Sequence, residues 1–94
     1  MSKKDAYVKK LRARLDEQAA EIDRLKAKAD QAEADAELDY RKRVEELRER
    51  QDAARAKLDE LADAGDDAWE DMKAGVEKAW DDLTDAVKSA SSRF

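Results

Sequence analysis

The sequence predicts an all-α fold: a long helix and a short helix packed as an antiparallel hairpin, with coiled-coil self-association. Three observations carry that prediction. The 94 residues include no proline and two glycines, so little interrupts a helix. Ala, Asp, Glu, Lys, Arg and Leu dominate, the composition of long helices and coiled coils. Apolar residues recur at alternating steps of three and four and then, from Leu58, in steps of eleven; both spacings hold a stripe on one side of a helix.

The first helix is expected over about residues 4–62. Its stripe begins Val8, Leu11, Leu15, Gln18, Ile22, Leu25, Ala29, Ala32, Ala36, a heptad seam that shrinks to alanine. Two steps of four, Ala36 to Tyr40 to Val44, form a stutter that relaxes the supercoil without ending the helix. The stripe then resumes through Leu47, Gln51, Ala54, Leu58 and Leu61. At ~1.5 Å per residue such a helix is a rod on the order of 90 Å long. Acid-before-base pairs four apart, such as Glu37 with Arg41 and Asp39 with Arg43, support it from its solvated face.

A turn is expected at 63–66, where Gly65 can take the left-handed conformation that ends a helix. Asp66 or Asp67 can cap the next helix, and Asp67 with Glu70 has capping-box spacing. The second helix is expected over about 67–91. It carries the eleven-residue repeats AWEDMKAGVEK and AWDDLTDAVKS, which place Trp69, Met72, Val76, Trp80, Leu83 and Val87 on one face. Gly75 lies within it, either as a tolerated helix penalty or as a close-packing position.

If the chain reverses at Gly65, this face meets Val44, Leu47, Ala54, Leu58 and Leu61. Trp69 then falls opposite Leu61, Met72 opposite Leu58, Val76 opposite Ala54 and Leu83 opposite Leu47. Trp80 fills the gap between Gln51 and Ala54, where the long helix lacks a large apolar side chain. Residues 1 to about 35 are left without a partner in the chain. Val8, Leu11, Leu15, Ile22 and Leu25 are therefore assigned to self-association, with a dimer favoured.

Charge and composition narrow the function. Residues 1–61 hold 16 basic and 16 acidic side chains, whereas 62–94 hold 4 and 9, so the whole net charge of -5 lies in the C-terminal third. Nucleic acid is disfavoured by that acidity, and a membrane surface is disfavoured by the acidic face of Glu70, Asp71, Asp81, Asp82 and Asp85. The basic tip of Lys3, Lys4, Lys9, Lys10, Arg12 and Arg14 suits an acidic partner or water. With no histidine and no cysteine, a di-iron carboxylate site, a thiolate metal site and an activated serine all lack a required partner. The acids around the turn lack the ligand alternation of a calcium loop. No catalytic, cofactor-binding or metal-binding residues are assigned, and no cofactor is expected. No apolar run approaches a membrane span or a signal peptide, so a cytoplasmic protein is expected.

The opening KKDAYVKKLRARLDEQAAEIDRLKAKADQAEADA and the closing GDDAWEDMKAGVEKAWDDLTDAVKSASSRF together resemble a family of short bacterial coiled-coil general stress-response proteins. The double-tryptophan block is the most specific part of the likeness. The resemblance implies a small cytoplasmic helical protein without enzymatic activity, and it supplies no catalytic residues. The expected function is thus that of a non-enzymatic structural or interaction protein acting through self-association and protein binding. Two rival readings are a membrane-surface binder using the amphipathic C-terminal helix and a regulatory subunit docking its N-terminal helix on a larger complex.

Overall fold

The computed structural model describes residues 2–93. The described residues form three α-helices and no strand: α1 (Lys3–Asp30), α2 (Ala34–Asp63) and α3 (Trp69–Arg93). The all-α, antiparallel-hairpin expectation holds, but the hairpin occurs twice. The chain runs up, down and up again, in a body of 51 × 19 × 18 Å.

Helix α1 starts at a cap that the sequence reading did not use. Ser2 is extended, and its Oγ accepts the Asp5 backbone N–H at 3.1 Å, satisfying one of the orphan donors of the first turn. Its end departs from the expected continuous helix over 4–62. Residues 31–33 leave the helix: Gln31 and Ala32 donate to the carbonyls of Lys28 and Ala29, and Glu33 is extended at φ -63°, ψ 153°. Helix α2 then begins with Ala36 and Glu37 donating to the Glu33 carbonyl at 2.9 Å.

Nothing in the local sequence demands this break, since residues 27–37 contain alanine, charged residues and Gln31 but no glycine or proline. Burial demands it. Helix propagation is worth no more than about 0.3 kcal/mol per residue, so three residues forfeit under ~1 kcal/mol. Folding α1 back buries Leu11, Leu15, Ile22 and Leu25 to between 1% and 5% exposure, at roughly 1.5–3 kcal/mol for each large aliphatic side chain. The break sits where it costs least packing, because no large apolar side chain stands between Leu25 and Leu38.

Three ion pairs record the α1–α2 register. Arg12 meets Asp59 at 3.2 Å, Asp23 meets Arg48 at 3.3 Å and Asp30 meets Arg41 at 3.2 Å; in each pair the residue numbers add to 71. The same antiparallel register brings Leu11 level with Leu61, Leu15 with Leu58, Leu25 with Leu47 and Ala29 with Val44, all of them buried.

Helix α3 lies parallel to α1. Trp69 is beside Tyr7, with ring centroids 5.8 Å apart, and Ser91 Oγ donates to Glu21 Oε1 at 3.4 Å near the other end. Trp69, Val76, Leu83, Val87 and Ala90 complete the core, with Met72 and Trp80 half-buried against it. Among the described residues the buried set is wholly apolar.

The α2–α3 turn also differs in detail. It occupies residues 64–68 rather than 63–66, and Gly65 has no positive φ. The helix ends at Ala64 in an extended conformation, and the Gly65 carbonyl accepts from Ala68 and Trp69 to start α3. Among the described residues, Asp66 and Asp67 make no side-chain capping hydrogen bond. The later centre of this turn moves the α2–α3 register by about one helical turn. Leu47 shares a groove with Ala86 and Ala90, beyond the expected partner Leu83. No Cβ at Gly75 would meet an atom within 4 Å, so that glycine is a tolerated penalty and not a close-packing position.

Candidate interaction surface

Both sets of residues singled out from the sequence end in one place. Val44, Leu47, Leu58, Leu61, Trp69, Val76, Leu83 and Val87 are buried in the core, with Met72 and Trp80 at its edge. Leu11, Leu15, Ile22 and Leu25, assigned above to contact with a second chain, are buried in the same intrachain core, and Val8 is half-buried against it. One chain therefore covers the strip that the hairpin of two helices would leave bare. Trp80, expected between Gln51 and Ala54, borders a groove at the α1–α3 seam with Tyr7, Leu11 and Arg14.

With the apolar faces occupied, recognition falls to the outside. That exterior is polar: Leu38, 72% exposed, is the one large hydrophobic residue left open among the described residues. Glu70, Asp71, Asp81, Asp82 and Asp85 are all exposed along α3, an acidic face interrupted by the exposed Lys78 and Lys88. The basic tip of α1 lies at the same end of the bundle as the acidic α2–α3 turn. Lys4 Nζ donates to the Ala64 carbonyl at 2.9 Å, so Lys3 and Lys4 sit near Asp63, Asp66 and Asp67. Of the tip's six basic residues Arg12 is ion-paired, with Asp59, and Lys4 is held on a neutral carbonyl, so most of the tip's charge faces outward.

A cluster not foreseen from the sequence joins α1 to α3 at this end. Lys73 Nζ lies 5.2 Å from the Tyr7 ring centroid and 4.8 Å from that of Trp69, in cation–π range of both. The Tyr7 hydroxyl donates to Glu77 Oε1 at 3.4 Å. Burial, then the Glu77 charge and this hydrogen bond, raise the phenol above its ordinary value of 10.0, while Arg14 pulls it down. Tyr7 stands immediately before the heptad seam and so reads as a flanking residue; only the α1–α3 pairing gives it a partner.

The surface depressions are shallow and lie along helix seams. One, about 450 Å³, is bordered by Ala29, Leu38, Arg41 and Val44 near the α1–α2 connection. Among the described residues no group of three or more acidic, histidine or cysteine side chains is placed to hold a metal ion. No helix there is long and apolar enough to cross a membrane. No protein-family model, curated protein or solved structure matches the chain.

Proposed function

We propose that the chain is a non-enzymatic cytoplasmic structural or interaction protein of the bacterial stress response, which binds other proteins through its charged exterior. The observation that carries this reading is the division between inside and outside. The large apolar side chains of three helices, Leu38 and Tyr40 excepted, fill or border one core, and charge is left to face a partner. A catalytic site needs converging groups in a sheltered cleft. The acidic outer face of α3 is instead suited to a basic protein surface, where charge complementarity sets specificity and association rate. Stress physiology enters through the resemblance of the chain's two ends to the bacterial family named above.

A membrane-surface role would need α3 to leave the bundle, exposing Leu58, Leu61 and α3's own Trp69, Val76, Leu83 and Val87 before lipid could cover any of them. Its acidic face would also oppose anionic headgroups.

The test compares the chain with a variant in which Glu70, Asp71, Asp81, Asp82 and Asp85 are replaced by their amides. These exposed positions leave the core intact. Proteins captured from stressed bacterial extracts by the parent chain should be lost from the variant while its helical circular dichroism is unchanged. An identical captured set, or tryptophan emission that shifts to the blue with neutral vesicles in both proteins, would overturn the reading.

A further inference from the structure

We propose that two copies of this chain exchange α1. Residues 31–33 become helical and join α1 and α2 into one helix over residues 3–63, whose α1 half packs on the α2 and α3 of the other copy. The partner is therefore a second copy of the chain, and the surface it recognises is the core groove that α1 fills in the closed bundle. This deepens the interaction reading by supplying its self-association, yet it is tested independently of any outside partner.

A three-residue connection built from Gln31, Ala32 and Glu33 has no glycine to ease the reversal, and it is flanked by Ala27, Ala29, Ala34 and Ala36, strong helix formers. Only the burial of α1 holds it open. If another copy provides the same burial, the intrinsic preference of the segment for helix is released, which is the circumstance that favours exchange of an element between protomers.

Because Arg12–Asp59, Asp23–Arg48 and Asp30–Arg41 all share one antiparallel sum, they describe a helix able to pair with a second copy of itself. Two continuous helices in that register are related by a twofold axis near residue 36, and each ion pair forms twice. The segment between the old hairpin ends matches as well. One residue along from the ion-pair register, Ala36 faces Ala36 of the partner across the axis and Ala32 stands level with Tyr40, a small side chain beside a large one. The stutter from Ala36 to Tyr40 to Val44, needless in a closed bundle where the helix stops at Asp30, keeps the stripe continuous through that segment.

A tethered α1 competes at an effective concentration on the order of millimolar, so exchange populates as the chain nears ~1 mM or is refolded there. Ala34→Pro separates the two states. In the closed bundle residue 34 is the first of α2, the position that tolerates proline best, and Glu33 before it already has the extended backbone that proline favours. In a continuous helix the same proline is interior, once in each chain, and weakens the dimer by roughly 10⁴-fold.

The experiment refolds the full chain across a concentration series and reads mass by sedimentation. In parallel, a donor and an acceptor dye are placed on Arg12→Cys and Asp59→Cys of one chain diluted into an excess of unlabelled chain. The native sequence has no cysteine, and both positions are about half exposed. Closed chains give high transfer; exchanged chains place the dyes 47 residues apart on one helix, about 70 Å, and transfer collapses in the dimer fraction. Ala34→Pro should keep the helical signal and high transfer and remain monomeric. A chain that stays monomeric at ~1 mM, a dimer that retains high transfer, or an Ala34→Pro variant that dimerises like its parent would each overturn the proposal.

Discussion

Replacing Ile22 by alanine tests whether α1 belongs to the chain's own core. Ile22 is 1% exposed and lies in the middle of α1, between Leu15 and Leu25, so its removal leaves a cavity that the helices around it cannot easily close. Truncating a buried isoleucine to alanine costs ~2–5 kcal/mol, the transfer loss plus the cavity. Against a total stability of roughly 5–14 kcal/mol for a domain of this length, that is a substantial fraction. A loss of 3 kcal/mol lowers the midpoint of thermal unfolding by roughly 10–25 °C in a domain of this size. The assay is urea and thermal unfolding followed by circular dichroism, at concentrations where sedimentation gives the monomer mass. Leu38→Ala is the matched control: at 72% exposure it should change stability by less than ~0.5 kcal/mol. If Ile22→Ala costs under ~0.5 kcal/mol in the monomer, α1 is not packed as described, and the three-helix core is refuted along with the exchange built on it.

Two further predictions follow from single sites. Tyr7 holds its proton more tightly when folded, so the stability it contributes is complete below 10.0, the ordinary value of the phenol, and is lost as pH rises from there through its raised folded value. Unfolding free energies measured from pH 8 to 12 should therefore fall less steeply in Tyr7→Phe than in the parent, and parallel curves would remove the role given to Glu77 and burial. The two glycines should behave alike: neither has a positive φ, and a Cβ at either would meet nothing within 4 Å. Gly75→Ala, in mid-helix, is expected to raise stability by ~0.5–1 kcal/mol in urea titrations, and Gly65→Ala by a few tenths. A loss near 1 kcal/mol at Gly65 would restore the left-handed turn that its sequence suggests.

The face of α3 is legible in outline: spacing alone sorts Trp69, Val76, Leu83 and Val87 inward and Glu70, Asp71, Asp81 and Asp82 outward, while Met72 and Trp80 stay at the core's edge and the buried Ala90 lies beyond the predicted stripe. The second turn is legible in position but not in conformation. Gly65 and its neighbouring aspartates mark it, but how the reversal is made depends on where the packed helices must meet, and each residue of displacement in the turn's centre moves the facing residue by two. The first turn carries no breaker at all. Its one trace is the absence of any large apolar side chain between Leu25 and Leu38, which makes a break cheap without requiring it.

The candidate surface divides in the same way. The acidic face belongs to one helix and is set by local order, so composition and period suffice to find it. The Tyr7–Trp69–Lys73 cluster and the approach of Lys4 to the α2–α3 turn join residues 60 or more positions apart, and no local pattern announces them.

Helical periodicity acts within a few residues, so the secondary structure class and the sorting of side chains into a buried stripe and a charged exterior are fixed by local order. The tertiary structure alone decided what covers the stripe of Leu11, Leu15, Ile22 and Leu25. Hydrophobic burial is non-directional and indifferent to whether the covering surface comes from the same chain or another. In the closed chain proximity decides it: α1, tethered by three residues, meets α2 and α3 at an effective concentration on the order of millimolar, which outweighs the small helical cost of opening residues 31–33.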